Sequence, residues 1–318
     1  LEFRRVLFRS HTIHFLINEN KVAVKILKKK KISFSLLSKN ASTLKISKTI
    51  DQLMISKNIK KLFLDFREYG EKITQLLQNK NYKLIVIDDG WTKNINSSVI
   101  INDTPIKKFR QYKIIRKNTK SFFGLKYFIA NKQLIKHKKI ISEIYKKKIY
   151  NIVVSMGGSD PSNLTLLVAK SLSQISGIDV KLILGPFYKN KIKLKKLTSK
   201  KSNFLIIEAP KFIWKYFQKA DLVISASGST LFELAIQRIP TICISDTKHE
   251  FVYAKMFSSI GFVKNLGLKN KVTGNQISIT VKKILNDIQK RKKMSINAGK
   301  VLDRKGVLRV TKIISCLE

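Results

Sequence analysis

Asp221-Leu-Val-Ile-Ser-Ala-Ser-Gly-Ser-Thr-Leu-Phe-Glu233 decides the reading of this chain. A short apolar run with the length and β-branching of a buried strand meets a turn of small residues, and a helix opens with an acid one turn in. The same plan occurs seventy residues earlier in Asn151-Ile-Val-Val-Ser-Met-Gly-Gly-Ser-Asp-Pro-Ser-Asn-Leu-Thr165, where the turn carries two glycines. Bare turns at helix N-termini present unpaired N–H groups and the positive end of the helix dipole, which suits a phosphate. Gly157 and Gly158 permit positive φ and close approach, and Ser159 or Asp160 can cap the helix that follows. Gly228, Ser229 and Thr230 leave amides free, and Glu233 sits where it could accept hydrogen bonds from a ribose. Each signal alone is ordinary punctuation: a Gly-Gly turn with an Asp cap is common, and a Glu near a helix start is favourable for the dipole anyway. Two such units in order point to a diphosphate held on an α/β sheet.

The bulk properties permit this. The chain has 318 residues, enough for two domains, and 44% of them are hydrophobic. No apolar run approaches the roughly 20 residues of a membrane-spanning helix. Cys243 and Cys316 are the only cysteines, which excludes a disulfide framework and fits a reducing cytoplasm. The formal net charge of +44 raises nucleic acid as a partner. However, the lysines are scattered through every segment, and lysine, isoleucine, asparagine and phenylalanine are all abundant, as AT-rich codons produce. A solvated basic surface is the reading preferred to a nucleic-acid-binding protein.

Residues 1–10, Leu-Glu-Phe-Arg-Arg-Val-Leu-Phe-Arg-Ser, translate one frame of a common sequencing-library adapter, and are expected to be a non-native scar on an N-terminally truncated chain. From residue 11 the pattern is α/β. Strands are predicted over 11–17, 31–37, 61–65, 83–89 and 98–102, with helical pieces at 23–27 and 69–79. The first domain is assigned to 11–140 and a lysine-rich linker to 141–150. The second domain, 151–318, cycles through strands at 152–155, 180–184, 204–207, 222–225 and 241–245. Helices are expected after Asn163, Lys189, Phe212, Thr230 and His249, with terminal helices at 276–294 and 307–316.

The ordered segment from Ala209 through Pro240 resembles the donor-binding half of two-domain sugar-nucleotide enzymes of the GT-B type, such as the N-acetylglucosaminyltransferase that makes the peptidoglycan lipid intermediate. The resemblance implies two Rossmann-like, doubly wound domains facing a cleft, the first incomplete here. It gives Glu233 the ribose, Ser229 and Thr230 the diphosphate, and the backbone near Ile213 the uracil. A closer likeness is to the UDP-2,4-diacetamido-2,4,6-trideoxy-β-L-altropyranose hydrolases of pseudaminic acid biosynthesis and the related spore-coat polysaccharide proteins. It rests on Gly-Gly-Ser-Asp-Pro-x-Asn-x-Thr at 157–165, Asp88-Asp89 after an apolar strand, and Gly124-Leu-Lys-Tyr-Phe-Ile129. This likeness implies a metal-independent and cofactor-independent enzyme that takes a UDP-sugar and releases UDP by attack of water.

Three departures qualify the likeness. That family's catalytic histidine lies in a Gly-x-Gly-His loop that the chain lacks, so no catalytic residue is assigned and the fragment is expected to be inactive. An Asn-Gln pair expected to face the sugar is replaced by His249-Glu250, which are taken as sugar-side residues. An arginine and an acid expected after Ile129 are replaced by Asn131 and Gln133. His249 is a weak candidate for a general base: neighbours in a helix do not face each other, so Glu250 does not orient it. His11, His14 and His137 read as strand or surface residues, and Asp88-Asp89 could either line a site or cap a turn. A GT-B glycosyltransferase using a UDP-sugar donor is the alternative activity.

Overall fold

The computed structural model describes residues 12–38, 40–65, 70–77, 80, 82–88, 90, 93–114, 116–130, 134 and 144–317. The proposed scar at 1–10, and His11, Asp89, Asn131, Gln133 and His137, lie outside the described residues, as does part of the expected linker. The chain divides into two units, one of Leu1–Ile129 with Lys305–Glu318, the other of Ala130–Arg304. No described helix is long and apolar enough to cross a membrane.

In the first unit, β1 (His14–Asn18), α1 (Lys21–Lys29) and β2 (Ser33–Leu37) form a parallel two-stranded unit. Next comes α2 (Thr43–Ser56), which the sequence reading missed. Ser42 caps it by accepting from the Lys45 amide, and Ile46, Ile50 and Met54, four residues apart, bury its inner stripe. After it come β3 (Lys61–Leu64), α3 (Gly70–Leu76), β4 (Lys83–Ile87), β5 (Asn94–Ile95), β6 (Val99–Asn102), β7 (Lys113–Ile114) and β8 (Lys120–Phe123). Strands β3, β4, β6 and β8 pair in that order, all parallel. Asp88, just past β4, accepts from the Gly90 amide at 2.8 Å and from the Tyr112 hydroxyl at 2.7 Å, so its carboxylate shapes this turn.

The second unit contains one six-stranded parallel sheet. Its elements are β9 (Tyr150–Ser155), α4 (Leu164–Leu172), β10 (Ile178–Leu184), α5 (Lys191–Thr198), β11 (Phe204–Glu208), α6 (Trp214–Lys219), β12 (Leu222–Ala226), α7 (Thr230–Gln237), β13 (Thr241–Ser245), α8 (Lys248–Ser259) and β14 (Val263–Leu268). The order across the sheet is β11-β10-β9-β12-β13-β14. Ile152, Val153 and Val154 are all buried, so β9 is covered on both faces, as a central parallel strand must be. The sequence reading missed β14, whose polar interior and Gly267 at φ +112° mask the pattern of an edge strand.

Two corrections concern the chain's end. The helix expected over 276–294 is two helices, α9 (Gly274–Asn286) and α10 (Ile288–Val301), because Asp287 ends the first and caps the second by accepting from the Lys290 amide. The last helix, α11 (Gly306–Ser315), was placed with the second domain but packs on the first unit. Val310, Ile314 and Leu317, spaced i, i+4 and i+7, cover Ile85, Val99, Ile101 and Tyr127. Lys61 donates to the Ile314 carbonyl at 3.0 Å, a cation at the negative end of the helix. Replacing Ile314 with Ala should therefore cost about 2–5 kcal/mol. Hydrogen exchange should show lost protection in β3, β4 and β6 while the sheet of the second unit is unchanged.

Candidate nucleotide site at the sheet switch point

Numbered from β9, the second-unit sheet has the order 3-2-1-4-5-6, so the winding reverses between β9 and β12. Ligands of open α/β sheets bind at such a reversal, beyond the carboxyl ends of the strands. The two turns singled out in the sequence both begin there. Register pairs Ser155 with Ser225, which brings the turns beyond β9 and β12 side by side. At the other end of the strands, Asp221 donates its amide to the Asn151 carbonyl at 2.8 Å and accepts the Asn151 amide on its carboxylate at 2.9 Å. Lys147 completes the clamp, its ammonium 2.8 Å from the buried Asp221 carboxylate.

The turns are unequal. After β9, Gly157 has φ +85°, and neither Gly157 nor Gly158 has an atom within 4 Å of where a Cβ would stand. Gly157, Gly158 and Ser159 are exposed, leaving open space for a ligand against bare backbone. The helix start beyond them is already filled. Asp160 is buried at φ +42°, and its two carboxylate oxygens accept from the Leu164 and Thr165 amides, both at 2.8 Å. A carboxylate of the protein thus occupies the anion position of α4. Tyr188 braces the same loop by donating to the Asn163 side chain at 2.7 Å, its hydroxyl pushed up to about 12 by burial and by the Asp160 charge.

At α7 no side chain takes that place. Ser229 is the first flanking residue but makes no side-chain cap. The first internal bonds run from the Leu231 amide to the Gly228 carbonyl and from the Phe232 amide to the Ser229 carbonyl. The amides of Gly228, Ser229 and Thr230 are therefore left as donors at the positive end of the helix. Ser227 is buried beneath the turn and bonded to the Ser245 hydroxyl at 2.9 Å. Glu233, one turn in, is mostly shielded, and burial pushes its carboxyl up to about 7. Ile213 directly precedes helix α6, which leads into β12, and is half-buried beside the exposed ring of Phe212.

The sugar-side candidates lie on α8. Thr247 and Glu250 form a capping box: Thr247 accepts from the Glu250 amide at 3.2 Å, and Glu250 reaches back to the Asp246 amide at 2.8 Å. The other Glu250 oxygen lies 3.7 Å from the position of a Cβ on Gly228, so this carboxylate borders the α7 turn. His249 is half-buried with its ring centroid 5.4 Å from that of Tyr253. The Thr-x-x-Glu spacing announces this cap in the sequence, but it was not read there. Also missed was a network of Ser162, Asp246 and Lys269 across three loops. Lys269 bonds the Asp246 carboxylate at 2.8 Å and the Ser162 hydroxyl at 2.6 Å, and Ser162 donates to the same carboxylate. Among the described residues, no group of three or more His, Cys, Asp and Glu could hold a metal ion.

Comparison with known proteins bears on the family and the fold. Residues 152–309 match the glycosyltransferase family 28 C-terminal domain. The chain is 24% identical over 252 residues to the spore coat polysaccharide biosynthesis protein SpsG of Bacillus subtilis, covering 78% of this chain and 73% of that one. It is 22% identical over 200 residues to the pseudaminic acid cytidylyltransferase and UDP-2,4-diacetamido-2,4,6-trideoxy-beta-L-altropyranose hydrolase of Helicobacter pylori, covering 61% of this chain but 35% of that protein. Among solved structures, MurG of Acinetobacter baumannii superposes with a TM-score of 0.72 at 13% identity, over 99% of this chain and 94% of that one. The fold is GT-B.

The raised carboxyl of Glu233 has a stability consequence of definite sign. Folding binds a proton to Glu233 between the ordinary carboxylate range and about 7, so stability is full at low pH and falls as pH rises through 7. Replacing Glu233 with Gln removes this penalty, which reaches roughly 3 kcal/mol at most above pH 8. Thermal melts should show the variant several degrees more stable at pH 8 and little different near pH 4.

Proposed function

We propose, from a chain whose residues 152–309 carry a glycosyltransferase family 28 C-terminal domain on a GT-B fold, that this protein binds a UDP-sugar and transfers its sugar during polysaccharide biosynthesis. The observation that carries this reading is the open helix start at Gly228, Ser229 and Thr230 at the switch point, with the shielded Glu233 carboxylate one turn away. In this reading the three amides and the α7 dipole hold the diphosphate. Glu233 accepts hydrogen bonds from the ribose hydroxyls, and the backbone near Ile213 meets the uracil. Gly157, Gly158 and Ser159 give bare backbone across the switch point, while His249 and Glu250 border the sugar.

The chemistry follows from where charge develops. As the bond between the anomeric carbon and the β-phosphate oxygen breaks, its electron pair passes to that oxygen. Fixed N–H donors and a helix dipole aimed there stabilise the departing UDP more than the intact donor, which accelerates departure. The similarity to the Helicobacter pylori hydrolase over 61% of this chain supports a second reading, in which water takes the place of the acceptor. The similarity to a spore coat polysaccharide biosynthesis protein over 78% of this chain supports transfer.

Two measurements test these roles. Because ribose recognition needs the ionised carboxylate, uridine should bind about tenfold more weakly at pH 6 than at pH 8, and Glu233→Ala should lose both the affinity and its pH dependence. Uridine has no phosphate to titrate in this range, so calorimetry reads the protein group alone. UDP release from a UDP-sugar by the whole protein should require an added acceptor saccharide or lipid-linked sugar. Equal release in buffer alone would place the hydrolase reading first.

A further inference from the structure

One carboxylate borders the turn proposed for a diphosphate, and a second stands next to it. Glu250 borders the α7 turn, with one oxygen 3.7 Å from the Cβ position of Gly228 and the other 2.8 Å from the Asp246 amide. Asp246 follows directly, at the carboxyl end of β13, beside the strand that leads into the turn. Unrelieved, this acidic corner would repel a ligand carrying two or more negative charges. Lys269, the first residue beyond β14, reaches over to Asp246 at 2.8 Å and at the same time holds Ser162 of the β9 loop at 2.6 Å. Burial alone would raise the Asp246 carboxyl, but the hydrogen bonds from Lys269 and Ser162, with the lysine's charge, hold it below its usual range.

Accepting the diphosphate site above, we propose that Lys269 determines diphosphate affinity by cancelling the charge of Asp246 and fastening the Gly157–Gly158 loop beside it. A Ser–Lys nucleophile is the competing use of these residues. The hydrogen bonds speak against it: Lys269 donates to the Ser162 hydroxyl, and Ser162 donates to Asp246, so the lysine is not placed to take the serine's proton. The role is electrostatic, and its signature is selectivity: the pair acts on the phosphates of the ligand and hardly on its nucleoside. Lys269 is 42% exposed, so its charge can be removed without opening the core.

Calorimetric titration of UDP and uridine into the full chain at low salt tests the proposal, using the unaltered protein, Lys269→Met, and Lys269→Met combined with Asp246→Asn. Lys269→Met should weaken UDP by about tenfold and uridine by less than about twofold. Removing Asp246 as well should recover most of the lost UDP affinity, as expected if the harm comes from an uncompensated carboxylate. Equal weakening of UDP and uridine, or no recovery in the double variant, would overturn the charge-cancelling role. If Lys269→Met binds UDP as the unaltered protein does, this inference fails while the nucleotide site stands; if the unaltered protein binds no UDP, both fail.

Discussion

The pairing of β9 with β12 is the constraint on which the second unit depends. These strands are separated by two intervening strands in sequence, yet they lie side by side at the centre of the sheet. Their pairing reverses the winding, and the reversal leaves the carboxyl ends of both strands free of a covering crossover. Asp221 fixes the other end, bonding Asn151 in both directions and pairing its buried carboxylate with the half-buried Lys147. Loss of Lys147 would be costly because the Asp221 charge stays in the interior. The clamp lies at the amino ends of the strands, so it sets the register without occupying the space where a ligand would bind.

The protein treats its two helix starts in opposite ways. At α4, Asp160 fills the anion position from within and accepts a left-handed backbone to do so. At α7 the amides of the first turn are left open, and a carboxylate that would be more stable in water is kept shielded one turn away. Open donors and a destabilised acid do nothing for the folded state. Their placement at the switch point is what links the fold to nucleotide-sugar chemistry.

Much of this was legible in the sequence because it depends on local pattern. Apolar runs located β9, β10, β11, β12 and β13, and small-residue turns located both loops at the switch point. What was missed depends on partners distant in sequence or on a local signal of another kind. The apolar stripe of α11 was visible as a helix, but only the apolar face of β4 and β6 that it covers shows which unit it completes. The edge strand β14 carries too few apolar residues to declare itself. Asp287 splits a continuous helical pattern, and the Thr247–Glu250 capping box was readable by spacing. The Ser162–Asp246–Lys269 network was not readable, because it joins loops brought together only by the strand order.

The central claim is that the open start of α7 receives the phosphates of a uridine nucleotide. Amide hydrogen exchange of the whole protein with and without saturating UDP measures this at the atoms concerned. The account predicts that protection appears at the amides of Gly228, Ser229 and Thr230 and extends to Gly157 and Gly158, while Leu164 and Thr165, already bonded to Asp160, change little. Saturation with UDP that leaves the 228–230 amides exchanging as before would contradict it.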